Sequence, residues 1–555
     1  MKHRMPKGVT AREWNAPHLA RRIAVDPLGS GVTALVILLL GLFVLLPVAR
    51  VLAQPGQAEW VRLLTTSRWL RLGGNTLLIA VLSTASAVAL GFLFAYATSR
   101  PDVPLRTLFK LIAILPLVSP PFVGGLAFIL LFGRRGLVTY SLLGLSGDIY
   151  GWHGLWMVQT LAFFPIAYLA LAGVLRRINP TLEFAAQDLG ARGFRLFRTV
   201  TLPLAIPGLA SAALLVGIYA LSDFGNPMLV GGAFKVLATE TYTQVTGWGD
   251  LGMAAALSGA LLVPSLALFM LQRYWVEGRS YVTITGKGSF ADPLPTSGPV
   301  RWGLFTACAL VALVLLATYA VVFVGAFART WGVNWRPTLA NFEYTVFRGG
   351  QLWNSIRFAA MAAVGGSAFS VLAAYLVHRK RFPGRGAVDF TAVLPAALPG
   401  TLIGVGYILA FNTPPLALTG TGTIIVAAML FRTIPVGYRA AVAGLAQIAP
   451  SIEEGAADLG ARPLRTLWDV TLPLIRSAFT SALVFTFIRS MNTLSAVIFL
   501  VSPGTVVASA SILALAEHGD WGQASALAAS LMSAVFLVLL GFRLLSGGRM
   551  RLFEL

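Results

Sequence analysis

The amino-acid sequence predicts an all-α membrane protein, with about twelve transmembrane helices in two homologous, parallel halves. Three observations carry this expectation. Of 555 residues, 57% are hydrophobic and only 11% charged, against about 25% charged in a soluble domain. No soluble fold has enough interior for that much apolar surface, so the solvent is lipid. Apolar runs of membrane-spanning length recur along the whole chain, and one polar segment is written twice.

The apolar runs, about 20 residues each, fall at 31–53, 74–98, 108–132, 153–175, 206–230, 253–274, 303–327, 354–377, 388–411, 421–442, 477–501 and 525–545. The first is too long for a signal-peptide core and reads as a retained helix. Pro116, Pro120 and Pro121 interrupt the third run, and Pro395 and Pro399 the ninth. Membrane helices tolerate such breaks where neighbouring protein satisfies the freed backbone groups. The short alternating segments of a β-barrel are absent.

The net charge of +21 would suggest nucleic acid in a soluble chain. Here the basic residues lie between apolar runs, where they set topology and meet anionic headgroups. With the N-terminus inside, the interior segments collect Arg21, Arg22, Arg100, Arg106, Arg176, Arg177, Arg192, Arg195, Arg279, Arg379, Lys380, Arg462, Arg465 and Arg543. The exterior loops keep few, such as Arg134, Arg135, Arg336 and Arg348. Both termini are therefore expected in the cytoplasm, with no nucleic-acid partner. Cys308, the one cysteine, lies in an apolar run and reads as a buried thiol. No metal-ligand cluster is expected.

The repeat is the most informative feature. Residues 180–204 read PTLEFAAQDLGARGFRLFRTVTLPL, and residues 450–474 read PSIEEGAADLGARPLRTLWDVTLPL. The same offset pairs Pro165 with Pro435 and Tyr168 with Tyr438. A slightly larger offset upstream pairs Asn75 with Asn354, Arg100 with Arg379 and Pro116 with Pro395. An even number of spans separates the copies, so the repeats are parallel. The expected organisation is a cytoplasmic N-terminal segment (1–30), a first half (31–276), a polar linker (277–302) and a second half (303–555).

Each repeated segment falls between the fourth and fifth helix of its half. Pro180 and Pro450 suit a helix first turn, and Glu183, Glu453 and Glu454 lie favourably near that positive end. Gly190 and Gly460 can supply the positive φ that ends a helix. A helix-turn-helix lying on the cytoplasmic surface follows. Keeping it twice makes sense if both copies meet the same partner.

The segment resembles the EAA loop of binding-protein-dependent ABC importers, a pattern of EAA, then a glycine, then LP. The second copy carries the motif glutamate as Glu454; the first has Phe184 there, with Glu183 one place earlier. The resemblance implies the type I ABC importer permease fold, in the bacterial inner membrane. It also implies two copies of a cytoplasmic ATPase subunit, one on each loop. The implied docking residues are Glu183, Asp188, Leu189, Gly190, Ala191 and Arg192, and Glu453, Glu454, Asp458, Leu459, Gly460, Ala461 and Arg462. No G-x-x-x-x-G-K-[ST] occurs in the chain. The chain is thus expected to be a transport subunit without a cofactor, with ATP and Mg on partner subunits and a separate external solute-binding protein.

Residues 222–227 (SDFGNP), 236–240 (VLATE), 272–275 (QRYW) and 280–289 (SYVTITGKGS) look like the fused permeases of ferric-iron importers. Ferric iron is the solute this resemblance implies; thiamine, phosphonate, sulfate and polyamine permeases are close relatives. A twelve-helix secondary transporter is the competing class, and the duplicated loop argues against it. Asp223, Arg432 and Arg489 lie deep in apolar runs, where charges are costly and face a protein interior or an aqueous path. They are candidates for the substrate pathway, as are Asn226 and Asn492, which also suit interhelical hydrogen bonding. Asp223 and Arg489 fall on matching helices and are expected to pair across the axis between the halves.

Overall fold

The computed structural model describes residues 27–545 other than 121, 146, 277–293, 381 and 462. The basic N-terminal segment, most of the expected linker and Arg462 lie outside the described residues. Ten helices are long and apolar enough to cross a membrane, or twelve when two sharply bent pairs each count as one span.

The first half comprises α1 (Ser30–Ala53), α2 (Ser67–Ser99), α3 (Arg106–Val118), α4 (Val123–Phe132), α5 (Trp152–Leu175), α6 (Pro180–Asp188), α7 (Leu202–Leu221), α8 (Gly225–Val230), α9 (Leu237–Thr246) and α10 (Leu251–Met270). The second comprises α11 (Gly298–Phe327), α12 (Gln351–Arg379), α13 (Arg385–Val393), α14 (Gly400–Phe411), α15 (Gly422–Ala446), α16 (Pro450–Asp458), α17 (Arg476–Met491), α18 (Ala508–His518) and α19 (Trp521–Leu545). A short antiparallel pair, β1 (Ala328–Thr330) with β2 (Asn334–Pro337), follows α11.

Four expected spans change shape. The run 108–132 is broken between Val118 and Val123, two residues past Pro116, which stays inside α3. The run 206–230 stops at Leu221 and restarts as the six-residue α8, and the run 477–501 stops being helical at Met491. Asp223, Asn226 and Pro227 at the first stop, and Asn492 and Thr493 at the second, offer side-chain hydrogen bonds or lack the N–H that continuation needs. The ninth span turns by 114° between α13 and α14, where Pro395 and Pro399 interrupt the ladder. The linker is shorter than expected, because residues 298–302 already belong to α11.

Each half is built on a three-helix core: α2, α5 and α7 in the first, α12, α15 and α17 in the second. Small residues let these helices approach, the usual source of packing energy where lipid supplies no hydrophobic drive. A Cβ at Gly91 would lie 2.6 Å from Ala167 Cβ and 2.8 Å from the Tyr168 nitrogen. At the matching crossing in the second half the glycine sits on the other helix, and a Cβ at Gly437 would lie 2.8 Å from Ser370 Oγ.

The first helix of each half packs on the opposite half. α1 lies along α14: Tyr407 donates a hydrogen bond to the Phe43 carbonyl at 3.0 Å, and Phe43 stacks on Phe431 at 4.8 Å. α11 lies along α4 and α19, with Tyr319 and Ser119 hydroxyls 2.8 Å apart and Phe305 against Phe109. A further tie joins the end of α10 to the second half, where Asp389 accepts from Arg273 and from the Tyr438 hydroxyl. The halves are thus interlaced.

Candidate functional site

The duplicated segment folds the same way twice. Asn179 caps α6, its Oδ1 accepting from the Thr181 nitrogen at 3.0 Å, and Pro180 opens the first turn. The turn after α6 closes through Ala191 N–H to the Ala186 carbonyl at 2.9 Å; after α16, Ala461 N–H bonds the Ala456 carbonyl at 3.0 Å. These bonds require a left-handed residue, supplied by Gly190 at φ +86° and Gly460 at φ +82°. The turn thrusts one leucine outward on each copy: Leu189 is 89% exposed and Leu459 is 91% exposed. Asp188, Gly190 and Arg192, and Glu454, Asp458 and Gly460, are exposed around them; Ala191 and Ala461 are half-buried.

Glu183 and Glu453, expected on that surface, are turned inward. Glu183 is 3% exposed and forms a bidentate pair with Arg100, at 2.7 and 2.8 Å, while the Thr201 hydroxyl donates to it at 2.8 Å. In the second half Arg379 lies 3.2 Å from Glu453, and Thr471 donates to the same carboxylate at 3.0 Å. The reason is geometric: a helix residue three places into α6 faces the membrane bundle when its neighbours Phe184 and Glu454 face out. Arg100 and Arg379 close the ends of α2 and α12. Each loop is therefore riveted to a long core helix of its half. Burial pushes the Glu183 carboxyl up, but the hydrogen bonds and charge of Arg100, the Thr201 hydroxyl and the Leu294 N–H outweigh it. The group is held below the usual glutamate range.

The two rivets differ in their surroundings. Arg100 also donates to the Leu294 carbonyl at 3.1 Å, and Asp102 accepts from Thr296 N–H and hydroxyl, so the segment entering α11 lies over the first pair. Arg379 instead donates to the Leu445 and Ile448 carbonyls of its own half. Sequence reasoning matched Arg100 with Arg379 but missed their partner acids. The signal was present: acid, base and threonine all recur at the two repeat offsets.

A cavity of about 160 Å³ lies on the axis between the halves. Its lining comes in repeat-related pairs: Pro116 and Pro395, Tyr219 and Arg489, Ser222 and Asn492, Asp223 and Thr493. Equivalent positions can share one cavity only where the pseudo-twofold axis passes. Tyr219 and Arg489 meet there directly, the guanidinium 5.1 Å from the ring centre.

Asp223, Arg432, Arg489 and Asn492 all line this cavity; Asn226 does not, being fully buried behind Asp223. The expected Asp223–Arg489 ion pair is not formed. Asp223 accepts from Gln159 Nε2 and Asn226 Nδ2, both at 2.9 Å, and Gln159 is itself held by Ser83. These neutral amides satisfy the carboxylate within its own half, leaving no need for a base across the axis. Arg432 donates to Ser495 Oγ at 3.1 Å, and Asn492 to the Val118 carbonyl at 3.1 Å. Phe224, which lines the cavity, packs in an aromatic cluster with Tyr242 and Phe499, Tyr242 lying 5.4 and 5.8 Å from the other two rings.

Comparison with known proteins agrees with this architecture. The ferric transport system permease protein FbpB of Actinobacillus pleuropneumoniae is 37% identical over 496 residues, 87% of this chain and 72% of the relative. A putative ferric transport system permease protein, FbpB 1 of Haemophilus influenzae, is 38% identical over 461 residues, 80% of this chain and 73% of the relative. The molybdenum transport system permease protein ModB of Escherichia coli is 29% identical over 204 residues, only 35% of this chain but 86% of the relative, so it matches about one half. The family described as the inner membrane component of binding-protein-dependent transport systems matches residues 87–281 and 366–547, once in each half. Two permease units in one polypeptide, each with its loop and its share of the axial cavity, are what the geometry presents, and the chain belongs to that family.

Proposed function

We propose that this protein is the two-half permease of an ATP-driven ferric-iron importer. The observation that carries the reading is the pair of exposed Leu-Gly turns, each riveted by an ion pair to a core helix that packs on the helices lining the axial cavity. The iron assignment is supported by the printed names of relatives that this chain follows over most of its length.

In this reading the loops and both termini face the cytoplasm, as the concentration of arginine and lysine in those segments supports. Two copies of an ATPase subunit seat on the turns around Leu189 and Leu459. ATP and Mg belong to those subunits. An external binding protein delivers the cargo on the side of the membrane away from the loops. When the ATPases close, α6 and α16 move with them. Because Arg100–Glu183 and Arg379–Glu453 cannot stretch without exposing buried charge, the motion passes to α2 and α12 and reshapes the cavity.

The test is radioiron uptake into proteoliposomes holding the permease and its ATPase, with the loaded binding protein outside. Leu189→Asp with Leu459→Asp is expected to release the ATPase from the purified permease and abolish uptake. Full ATPase retention by that variant would remove the docking role. Absence of radioiron uptake by the wild type would remove the iron assignment.

A further inference from the structure

The charges of the axial cavity are unevenly shared. Arg432 and Arg489 both come from the second half; their repeat equivalents are Ala162 and Tyr219. The single acid, Asp223, comes from the first half and is engaged by Gln159 and Asn226. Neither arginine has a carboxylate within ion-pair distance among the described residues. Arg432 spends a hydrogen bond on Ser495 Oγ, and the Arg489 guanidinium lies over the Tyr219 and Phe485 rings in the cavity wall, with no side-chain hydrogen bond among the described residues. Arginine does not shed its proton in a protein, so both positive charges persist.

This lining is ill suited to a bare trivalent cation. A hard cation takes several oxygen ligands, carboxylates above all. Among the described residues no cluster of three histidine, cysteine, aspartate or glutamate side chains could hold a metal ion. A cation entering alone would meet two fixed positive charges and one acid already occupied. The same wall suits an oxyanion: planar N–H forks from Arg432 and Arg489, flanked by the hydroxyls of Ser222 and Ser495 and the amide of Asn492. Ser222 Oγ is buried without a hydrogen-bond partner, and so is the Asn492 Oδ1 atom. Ser222 can therefore turn its proton toward a bound oxygen.

Resting on the iron reading above, we propose that Arg432 and Arg489 form an anion site. The metal then crosses as a complex bearing an oxyanion, the arginines holding the anion while the metal keeps its ligands. The simple alternative is that both arginines only brace helices. Bracing does not explain why both lie in the cavity wall, without acids, at positions where the other half carries alanine and tyrosine.

The test uses the full complex of permease, ATPase and binding protein in proteoliposomes, the binding protein loaded with radioiron in radiophosphate. Both labels are expected inside with the wild type, a result that depends on no variant. Arg432→Gln with Arg489→Gln should lower both by about tenfold or more. Arg432→Lys with Arg489→Lys should recover much of the loss, and every variant should still co-purify with the ATPase. Iron entering while phosphate stays outside, or iron entering unchanged in the double glutamine variant, would overturn the anion site and leave the iron reading intact. Phosphate entering in an arginine-dependent manner without iron would keep the site and end the iron reading.

Discussion

Replacing Glu183 by glutamine leaves the Arg100 guanidinium buried without a counter-charge. The Arg100 and Glu183 side chains are each 5% exposed and joined by two hydrogen bonds. Removing one partner of such a pair is worth about 3–5 kcal/mol. The second rivet is looser: its side chains are 11% and 14% exposed, and two backbone carbonyls already take Arg379 Nη2. Glu453→Gln should therefore lose less, about 1–3 kcal/mol. Arg100→Met with Glu183→Leu removes both charges and should recover most of the stability while uncoupling the loop, so melting and transport part company. The acid Glu183 has its native pKa lowered, so its stabilisation is complete above the ordinary glutamate range. It is lost as the pH falls through the lowered native value. Thermal melting of the purified protein in detergent, followed by tryptophan fluorescence across mildly acidic pH, measures each point. A Glu183→Gln protein that melts like the wild type, or a larger loss for Glu453→Gln, would refute the reasoning.

Gly460→Asp puts a side chain where φ is +82°, at a cost of about 1–2 kcal/mol, and a charge at the exposed turn; the chain should insert normally while iron uptake is lost. Phe184→Ala and Glu454→Ala alter equivalent exposed positions of unlike chemistry, and unequal losses of ATPase binding are expected; equal small losses would show that the asymmetry is silent. Asp223→Asn keeps one oxygen for Gln159 and Asn226 but removes the charge that strengthens both hydrogen bonds, costing about 1–2 kcal/mol. Because Asp223 and Arg489 do not pair, adding Arg489→Gln should add its own loss within about 0.5 kcal/mol and rescue nothing; rescue on melting would show a pair.

The apolar runs, the duplication and the turn geometry at Gly190 and Gly460 were legible because each is a local property of the chain. The facing of helices was not. A helix apolar on all sides gives no sign of which side meets protein and which meets lipid, so nothing in the sequence placed Phe43 against Tyr407. Glu183 was misread because a motif position says that a residue matters without saying which way it points. The Asp223–Arg489 pairing failed for a related reason: opposite charges on matching helices suggest each other, yet two amides were nearer, Asn226, already noted as suited to hydrogen bonding, and Gln159, which drew no notice. Placing Asp223, Arg432, Arg489 and Asn492 at the axis needed only the repeat offset and the parallel arrangement.

The crossing of the first helices has a genetic consequence. α1 braces α14, and α11 braces α4, so each half is supported in part by the other. A backbone that leaves no room at Gly406, where a Cβ would lie 2.8 Å from the Pro47 carbonyl, links lesions far apart in the reading frame. Damage at Gly406 should find its second-site suppressors near Pro47, some 360 codons upstream. A gene cut between the halves should complement only when both fragments are made together, since each fragment holds one brace that belongs to the other.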